Sequence, residues 1–385
     1  VHFDVIVVGA STAGLHAAEL LAKAGKRVGL FEQQDPLNPS RRTMIVTPKW
    51  KEILGIAPDG VVLHSISVMA VETPSSSVDV TLDPPDLIIE RAAFTLYLLD
   101  KAVSAGVELF LGHKFVSADG GTLKFSTGGE IVEAQAPVII GADGVGSSVA
   151  RAFGIPRPPF VPILQAEIEL PESWDPSVTK VWFDVEDTRY FYWLIPESGD
   201  RAVVGLVGDE RGHLRDLLES FLDRRGWKAL RLQGAKVAMH HPRLRPWRNL
   251  EGLSVMLVGD AAGQVKVTTV GGSVTGLAGA QAAARAVLNG TSYSKELSAL
   301  KRELDVHWWI REFLERLDNR GYDDLVRYMN PRVLGLLEKR NRDEAAGLAW
   351  RLLLAQPKFA WLGVRAFTKR RQFQRLIPIG SGTAG

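Results

Sequence analysis

Two stretches of this 385-residue chain combine side chains and bare backbone in a way that could do chemistry. The first is Gly9-Ala10-Ser11-Thr12-Ala13-Gly14, with Glu32 downstream. The second is Gly259-Asp260, followed by small residues: Ala261, Ala262, Gly263, Thr268, Thr269, Gly271 and Gly272. A surface loop would be more polar than this run, and a core segment would carry larger side chains. One carboxylate followed by small residues leaves main-chain groups open to whatever lies against them. The chain has no cysteine, which excludes disulfides, thiolate metal ligands and a cysteine nucleophile. No acid-base pair stands out; His240-His241 offers a proton donor by residue type alone.

The elements around these stretches give them a purpose. Residues 3–8, FDVIVV, read as a buried parallel strand. LHAAELLAKAG reads as a helix ending at Gly25, and Arg27 to Phe31 as a second strand closed by Glu32. In this βαβ opening Gly9 permits a tight turn, and Gly14 lets helix and strand pack closely. The helix N-terminus offers free N–H groups and a positive dipole to a pyrophosphate. Glu32 is placed for a ribose hydroxyl pair. Ser11 stands where the dinucleotide fingerprint has its middle glycine; it is small enough to admit phosphate, and its hydroxyl can add a hydrogen bond. The apolar run Ser254 to Val258 reads as the strand that presents Asp260.

A third segment, Val138-Ile139-Ile140-Gly141-Ala142-Asp143-Gly144, is a strand ending in a small-residue turn. Together GASTAG, VIIGADG and GDAAG resemble the three-part signature of the flavoprotein superfamily that includes para-hydroxybenzoate hydroxylase, geranylgeranyl reductases and flavin-dependent halogenases. The resemblance runs from residue 3 to about residue 290. It implies FAD as the cofactor. Carried over, Gly9, Ser11, Gly14 and Glu32 would hold the ADP half, Asp260 would grip a ribitol hydroxyl, and Gly259 before it would also border the cofactor. Asp143 and Gly144 would form a structural turn near the pyrophosphate, whose charge Arg42 and Arg91 would neutralise. Val116 would meet the adenine through its backbone. Gly271 and Gly272 would let the isoalloxazine lie against the chain, and the next helix start would face its N1–C2=O edge.

Residues 60–90 alternate and read as antiparallel strands, as do PILQAEIEL, TKVWFDVE, RYFYWLIPE and RAVVGLVGD between 160 and 250. These two excursions read as one antiparallel sheet laid over the flavin. In Phe191-Tyr192-Trp193-Leu194-Ile195-Pro196, strand alternation puts Phe191 and Trp193 on one face, with Tyr190 and Tyr192 on the other. The segment resembles the YxWxFP pattern of geranylgeranyl reductases, and halogenases carry a similar WxIP element. Phe191, Trp193 and His240 are therefore the pocket candidates. From residue 291 onward the pattern is helical. Glu344 is the last acid, and the basic residues beyond it are interleaved with Trp350, Phe359, Trp361, Phe367 and Phe373.

The expected fold is α/β: a Rossmann-like FAD-binding domain (1–60, 88–158 and 250–290), an interleaved antiparallel β-sheet substrate domain (61–87 and 159–249) and a helical C-terminal region (291–385). FAD performs hydride transfer itself, so the protein has to position substrate and tune the flavin. Gly263 leans away from the hydroxylases, many of which have histidine in the last position of GDAAG. Reductases usually show a proline and a GxG further on; here Val267 replaces the proline, Val270 replaces the first glycine and Gly272 retains the second. Lys49 and Lys51 lie near where halogenases need an active-site lysine. Some archaeal reductases have a cysteine after the second strand, where this chain has Arg41-Arg42-Thr43-Met44.

The resemblance implies an FAD-dependent oxidoreductase that reduces C=C bonds of a hydrophobic, isoprenoid or lipid-like substrate. A nicotinamide cofactor, NAD(P)H, or ferredoxin would supply electrons. A flavin monooxygenase or halogenase and a non-catalytic electron-transfer flavoprotein are the alternatives. The net charge of +2 does not suggest a nucleic-acid partner, and hydrophobic content of 46% with 23% charged residues is ordinary for a soluble globular protein. A cytoplasmic protein with no signal peptide is expected. The basic, aromatic tail could lie on an anionic membrane or be a solvated face of a packed helix. The sequence leaves the oligomeric state open.

Overall fold

The computed structural model describes residues 1–56, 58–209, 212–340 and 342–368. The β-branched run VIVV forms β1 (Val5–Val8), buried along its whole length. It sits inside a six-stranded sheet with β2 (Val28–Phe31), β6 (Glu108–Phe110), β10 (Val138–Gly141), β16 (Trp247–Leu250) and β17 (Leu253–Leu257), in the order β16-β17-β10-β1-β2-β6. Only β16 runs antiparallel to its neighbour. Register sets the function of this sheet. Val8 pairs with Phe31 and Gly141, and Gly141 pairs with Leu257. Four strands thus end level, and the turns carrying Gly9, Glu32, Asp143 and Gly259 share one edge. The carboxyl ends of parallel strands are where α/β sheets take ligands.

Helix α1 (Thr12–Lys23) packs against α3 (Arg91–Ser104) and α6 (Ser273–Leu288). The small residues of α6 leave room for the turn after β17: a Cβ on Gly279 would lie 1.9 Å from Gln264 Oε1. Glu90 caps α3 by accepting from the Ala92 and Ala93 N–H groups. A three-stranded sheet, β7 (Lys114–Asp119), β8 (Thr122–Thr127) and β9 (Glu130–Gln135), covers the opposite face with α4 (Ser148–Ala152).

The second large sheet has eight strands, in the order β15-β11-β14-β13-β12-β4-β5-β3. They are β3 (Thr43–Val46), β4 (Val62–Glu72), β5 (Ser77–Glu90), β11 (Phe160–Glu169), β12 (Val178–Trp182), β13 (Tyr192–Pro196), β14 (Arg201–Val207) and β15 (Arg231–Ala238). The two sequence excursions do join in one sheet. Their seam, β12 against β4, is parallel rather than antiparallel. No hairpin connects these strands, so chain connectivity does not impose the antiparallel sense. Helix α5 (Leu214–Asp223) closes one face through Leu218, Phe221 and Leu222. A short α2 (Lys49–Leu54) buries Trp50 against Phe94.

Helices α7 (Tyr293–Leu314), α8 (Asn319–Arg327), α9 (Pro331–Glu338), α10 (Ala345–Ala355) and α11 (Lys358–Thr368) complete the described chain. Ser292, Asp318 and Asn330 cap α7, α8 and α9 with side-chain oxygens. No helix among the described residues is long and apolar enough to cross a membrane. Lys369, Arg370, Arg371, Phe373 and Arg375 of the basic tail lie outside the described residues.

Candidate functional site

At the level edge of the six-stranded sheet, the first turn is built for close approach. Gly9 has φ +103°, and a Cβ there would sit 2.7 Å from Ala142 O. A Cβ on Gly14 would sit 2.3 Å from Gly9 O and 2.7 Å from Ala142 Cβ. Both glycines are therefore demanded by packing before any ligand is considered. The Ser11 hydroxyl accepts from the Gly14 N–H at 3.2 Å, capping α1. Ser11 so engages an N–H that a glycine there would leave free, while its own hydroxyl proton can still be donated. Glu32 accepts from the Ala10 N–H at 2.8 Å and the Gln34 N–H at 2.9 Å. These bonds fix its carboxylate beside the turn.

Asp143 accepts from the Ser147 hydroxyl and the Ser148 N–H, each at 2.6 Å, and from the Val149 N–H at 3.1 Å. It is thus committed to the start of α4, beside Gly144 at φ +78°. Val116 is 53% exposed and sits at a bulge: Phe115 pairs with Phe125 and Ser117 with Lys124, so Val116 has no opposite residue on β8.

Two arginines and Asp260 converge from three separate segments. The Arg91 N–H donates to Arg42 O at 2.9 Å, and the Arg42 N–H donates to Glu90 Oε1 at 3.1 Å, which sets the two arginines side by side. Neither guanidinium has a carboxylate within salt-bridge distance among the described residues, and buried Arg42 Nε has no hydrogen-bond partner. Burial, then the neighbouring Arg91 charge, lowers the Arg42 pKa, with Asp260 pulling it partly back. Burial raises the Asp260 carboxyl, against the pull of Arg91 and Arg42. Two neighbouring cations with an orphaned buried N–H make a site suited to a diphosphate, and the cradle of Gly9 and Gly14 fits the same group.

The stretch after β17 is held by residues that sequence reasoning passed over. The Gly259 N–H donates to Gln264 Oε1 at 2.7 Å; Gln264 Nε2 donates to the Tyr293 hydroxyl at 2.9 Å, which donates to Leu257 O at 2.8 Å. This buried relay locks the turn that aims Asp260. Gly259 and Gly263 both have positive φ, +63° and +66°. A Cβ on Gly263 would lie 2.8 Å from Leu244 Cδ1, so backbone geometry and packing account for this glycine as well. A Cβ on Gly272 would lie 3.4 Å from Asp260 Oδ1 and 3.0 Å from Val265 Cγ2. Gly271 O accepts from the Lys266 N–H at 3.0 Å. Gly272 gives α6 no side-chain cap, leaving its first N–H groups available for a ligand.

Val270, where the reductase pattern has glycine, has φ +54°. The backbone thus keeps a glycine conformation with a β-branched side chain in it, a sparsely populated state. Val267 and Val270 pack in one apolar cluster with Phe191, Trp193 and Trp308. The structure thus brings the two substituted loop positions onto the aromatic strand, far away in sequence. Phe191 and Trp193 share this side, while Tyr192 packs against Phe221 on the other. Tyr190 does not follow the expected alternation. It lies in the Phe191 cluster, because β13 begins only at Tyr192, and its ring packs 3.8 Å from the Arg311 guanidinium.

His240 is buried, with Nε2 2.8 Å from Asp305 Oδ1. Burial lowers its pKa and Asp305 opposes that shift. His241 stands edge-on to Trp308 at 5.6 Å. The lysine that the fold brings inward is Lys266, within the small-residue run. Its ammonium pairs with Asp343 at 2.6 Å and both side chains are buried. Thr47 also donates to Asp343, and Arg342 pairs with Asp86 nearby. Burial lowers the Lys266 pKa; Asp343 would be raised by burial, but Lys266 holds it below the usual carboxylate range. The only clue in the sequence is a lysine placed among small and apolar neighbours. Lys49 Nζ reaches Asp343 O at 3.5 Å, and Lys51 is exposed.

Comparisons with known proteins agree with this geometry. Residues 2–304 match the FAD binding domain family. The chain is 30% identical over 298 residues to digeranylgeranylglycerophospholipid reductase 1 of Methanopyrus kandleri, covering 71% of this chain and 77% of that protein. In fold it is similar to a geranylgeranyl bacteriochlorophyll reductase-like protein from Thermoplasma acidophilum, with a TM-score of 0.77 at 20% identity over 94% of this chain and 99% of that one. It is also similar to a flavin-dependent brominase, with a TM-score of 0.71 at 16% identity over 95% of this chain and 100% of that one.

Proposed function

The chain belongs to the FAD-binding family and, within it, to the geranylgeranyl reductases, and from that premise we propose that it saturates C=C bonds of an isoprenoid, lipid-like substrate. It is an FAD-dependent oxidoreductase. When bound, FAD supplies the hydride chemistry. In this reading Gly9, Ser11, Gly14 and Glu32 hold the ADP half and Val116 offers backbone to the adenine. Arg42 and Arg91 balance the diphosphate, and Asp143 and Gly144 shape the turn beside it. Asp260, aimed by the Gln264–Tyr293 relay, takes a ribitol hydroxyl, while Gly259, Gly271 and Gly272 admit the ring system. The uncapped start of α6 directs N–H groups and a positive helix end toward negative charge.

One observation carries the substrate class: Val267 and Val270 of the small-residue loop meet Phe191, Trp193 and Trp308 in a single apolar cluster. An apolar wall beside the loop suits a hydrocarbon chain and excludes water from the reacting bond. The substrate part is residues 61–87 and 159–249 in this reading, and the protein works at a membrane surface, where such substrates reside.

The test is anaerobic reduction of the FAD-loaded protein followed by rapid mixing with a polyprenyl lipid, oxygen or quinones. Recovery of the oxidised flavin absorbance with the polyprenyl lipid, hydrogen uptake into that lipid by mass spectrometry, and slow recovery with oxygen are expected. Fast recovery with oxygen and an oxygenated or halogenated product would replace the reductase with a monooxygenase or halogenase. Recovery with quinones alone would make it an electron carrier.

A further inference from the structure

Helices α10 and α11 present apolar residues on two sides. Inward, Leu362 and Ala366, one turn apart on α11, are buried against Leu317 and Tyr322, and Leu348 of α10 is buried. Outward, Trp361, Val364 and Phe367 recur every three residues with exposures of 57%, 64% and 51%. On α10, Trp350 with Leu353 and Leu354, three and four positions on, is likewise exposed, with Leu354 at 70%. A helix that merely packs on a core turns polar residues to water; one apolar on both sides has a second partner.

The charges around this patch choose among partners. The described part of this region, residues 345–368, contains Arg351, Lys358 and Arg365 and no Asp or Glu; Arg365 pairs with Asp324 of α8 at 3.0 Å, and Arg351 and Lys358 are exposed. Arg351 lies 5.7 Å from the Trp350 ring centroid, and Arg365 lies 5.2 Å from that of Trp361. A second copy of this chain would bring the same positive charge against itself. Tryptophan with an adjacent cation is instead the pairing that settles at the boundary between lipid tails and anionic headgroups.

We infer that the outward face of α10 and α11 is a docking surface for an anionic lipid bilayer. The inference deepens the membrane-surface part of the proposed function and rests on it. Binding by insertion needs the apolar face, and the cations strengthen it by attraction to headgroups.

The full-length, FAD-loaded protein is mixed with vesicles of phosphatidylcholine, with and without phosphatidylglycerol, and binding is read by co-sedimentation and by quenching of tryptophan fluorescence with brominated lipid. Wild type is expected to bind the phosphatidylglycerol vesicles at least tenfold more tightly, with quenching. Leu354→Ser with Val364→Ser should lose at least tenfold, and Arg351→Ser with Lys358→Ser should erase the preference for phosphatidylglycerol. Both double variants should keep wild-type FAD content. Undiminished binding by the Leu354 and Val364 variant would overturn this surface and leave the membrane reading standing. No vesicle binding by wild type would overturn both, without touching the reductase reading, which the mixing experiment tests. Equal binding to both vesicle types would overturn the choice of an anionic partner. A concentration-dependent dimer that the Leu354 and Val364 variant abolishes would assign the patch to a second copy.

Discussion

At the scale of single residues, Val270 shows how a substitution can keep a site's shape at a cost in strain. Its φ of +54° is one that glycine adopts freely and a β-branched residue resists, by about 1–2 kcal/mol or more. Glycine there would relieve the strain, yet would lose the apolar contacts of a half-buried side chain and raise the entropy of the unfolded chain. These effects are of similar size, so Val270→Gly is expected to stay within about 1 kcal/mol of wild type in denaturant unfolding. Val267, three residues earlier and 2% exposed, has no positive φ to relieve. Val267→Ala should therefore lose about 2 kcal/mol in the same measurement. If Val270→Gly cost as much, relief of backbone strain would not be offsetting the lost contacts. At this scale the sequence was legible where one residue type meets one local need: Gly9 and Gly14 stand where a Cβ would collide, and Gly272 where it would be tight against Val265. Gly263 is instructive, because a glycine taken as a chemical marker also answers to a positive φ and to the nearby Leu244 side chain.

Among elements, the start of α1 is the one where a change can be read on two axes. Ser11 caps the helix through the Gly14 N–H, and loss of such a cap costs about 1 kcal/mol. Ser11→Ala should lower stability by that amount, measured by thermal unfolding of the FAD-free protein. It should also weaken FAD several-fold in a flavin-release titration, since the variant has no hydroxyl proton to donate to a phosphate oxygen. A stability loss with unchanged FAD affinity would confine Ser11 to capping. Element types were legible because β1, α1, β2 and β17 each carry their own period and punctuation. The face of Tyr190 was not. Alternation holds only within a strand, and where β13 begins is decided by its pairing with β12 and β14.

For the whole molecule, the buried pair Lys266–Asp343 joins the small-residue loop to the segment before α10, with Thr47 of the strand-β3 end on the same carboxylate. Removing one partner of such a pair leaves a charge stranded in the interior and costs about 3–5 kcal/mol. Lys266→Met should destabilise by about that much in denaturant unfolding. Lys266→Met combined with Asp343→Leu should recover most of it, short of the Thr47 hydrogen bond, which the double variant lacks. Equal loss in the single and double variants would mean that the pair matters only through the shape of its side chains.

The sequence by itself determined the nucleotide-binding unit, the carboxylate at Asp260, the cofactor and the sorting of the chain into a flavin part, a sheet and a helical tail. The elements follow from short-range rules, in which a turn, a cap or a strand end needs a given residue within a few positions; FAD was implied by the resemblance of three separated segments to a flavoprotein superfamily. Tertiary structure alone decided that β4 meets β12 in parallel, that Arg42, Arg91 and Asp260 converge, and that Val267 and Val270 face Phe191 and Trp193. It also decided that Lys266 reaches Asp343, and that the second apolar side of α10 and α11 turns outward. Each of these depends on which surfaces meet after the elements form, and long-range packing has no period along the chain from which it could be read.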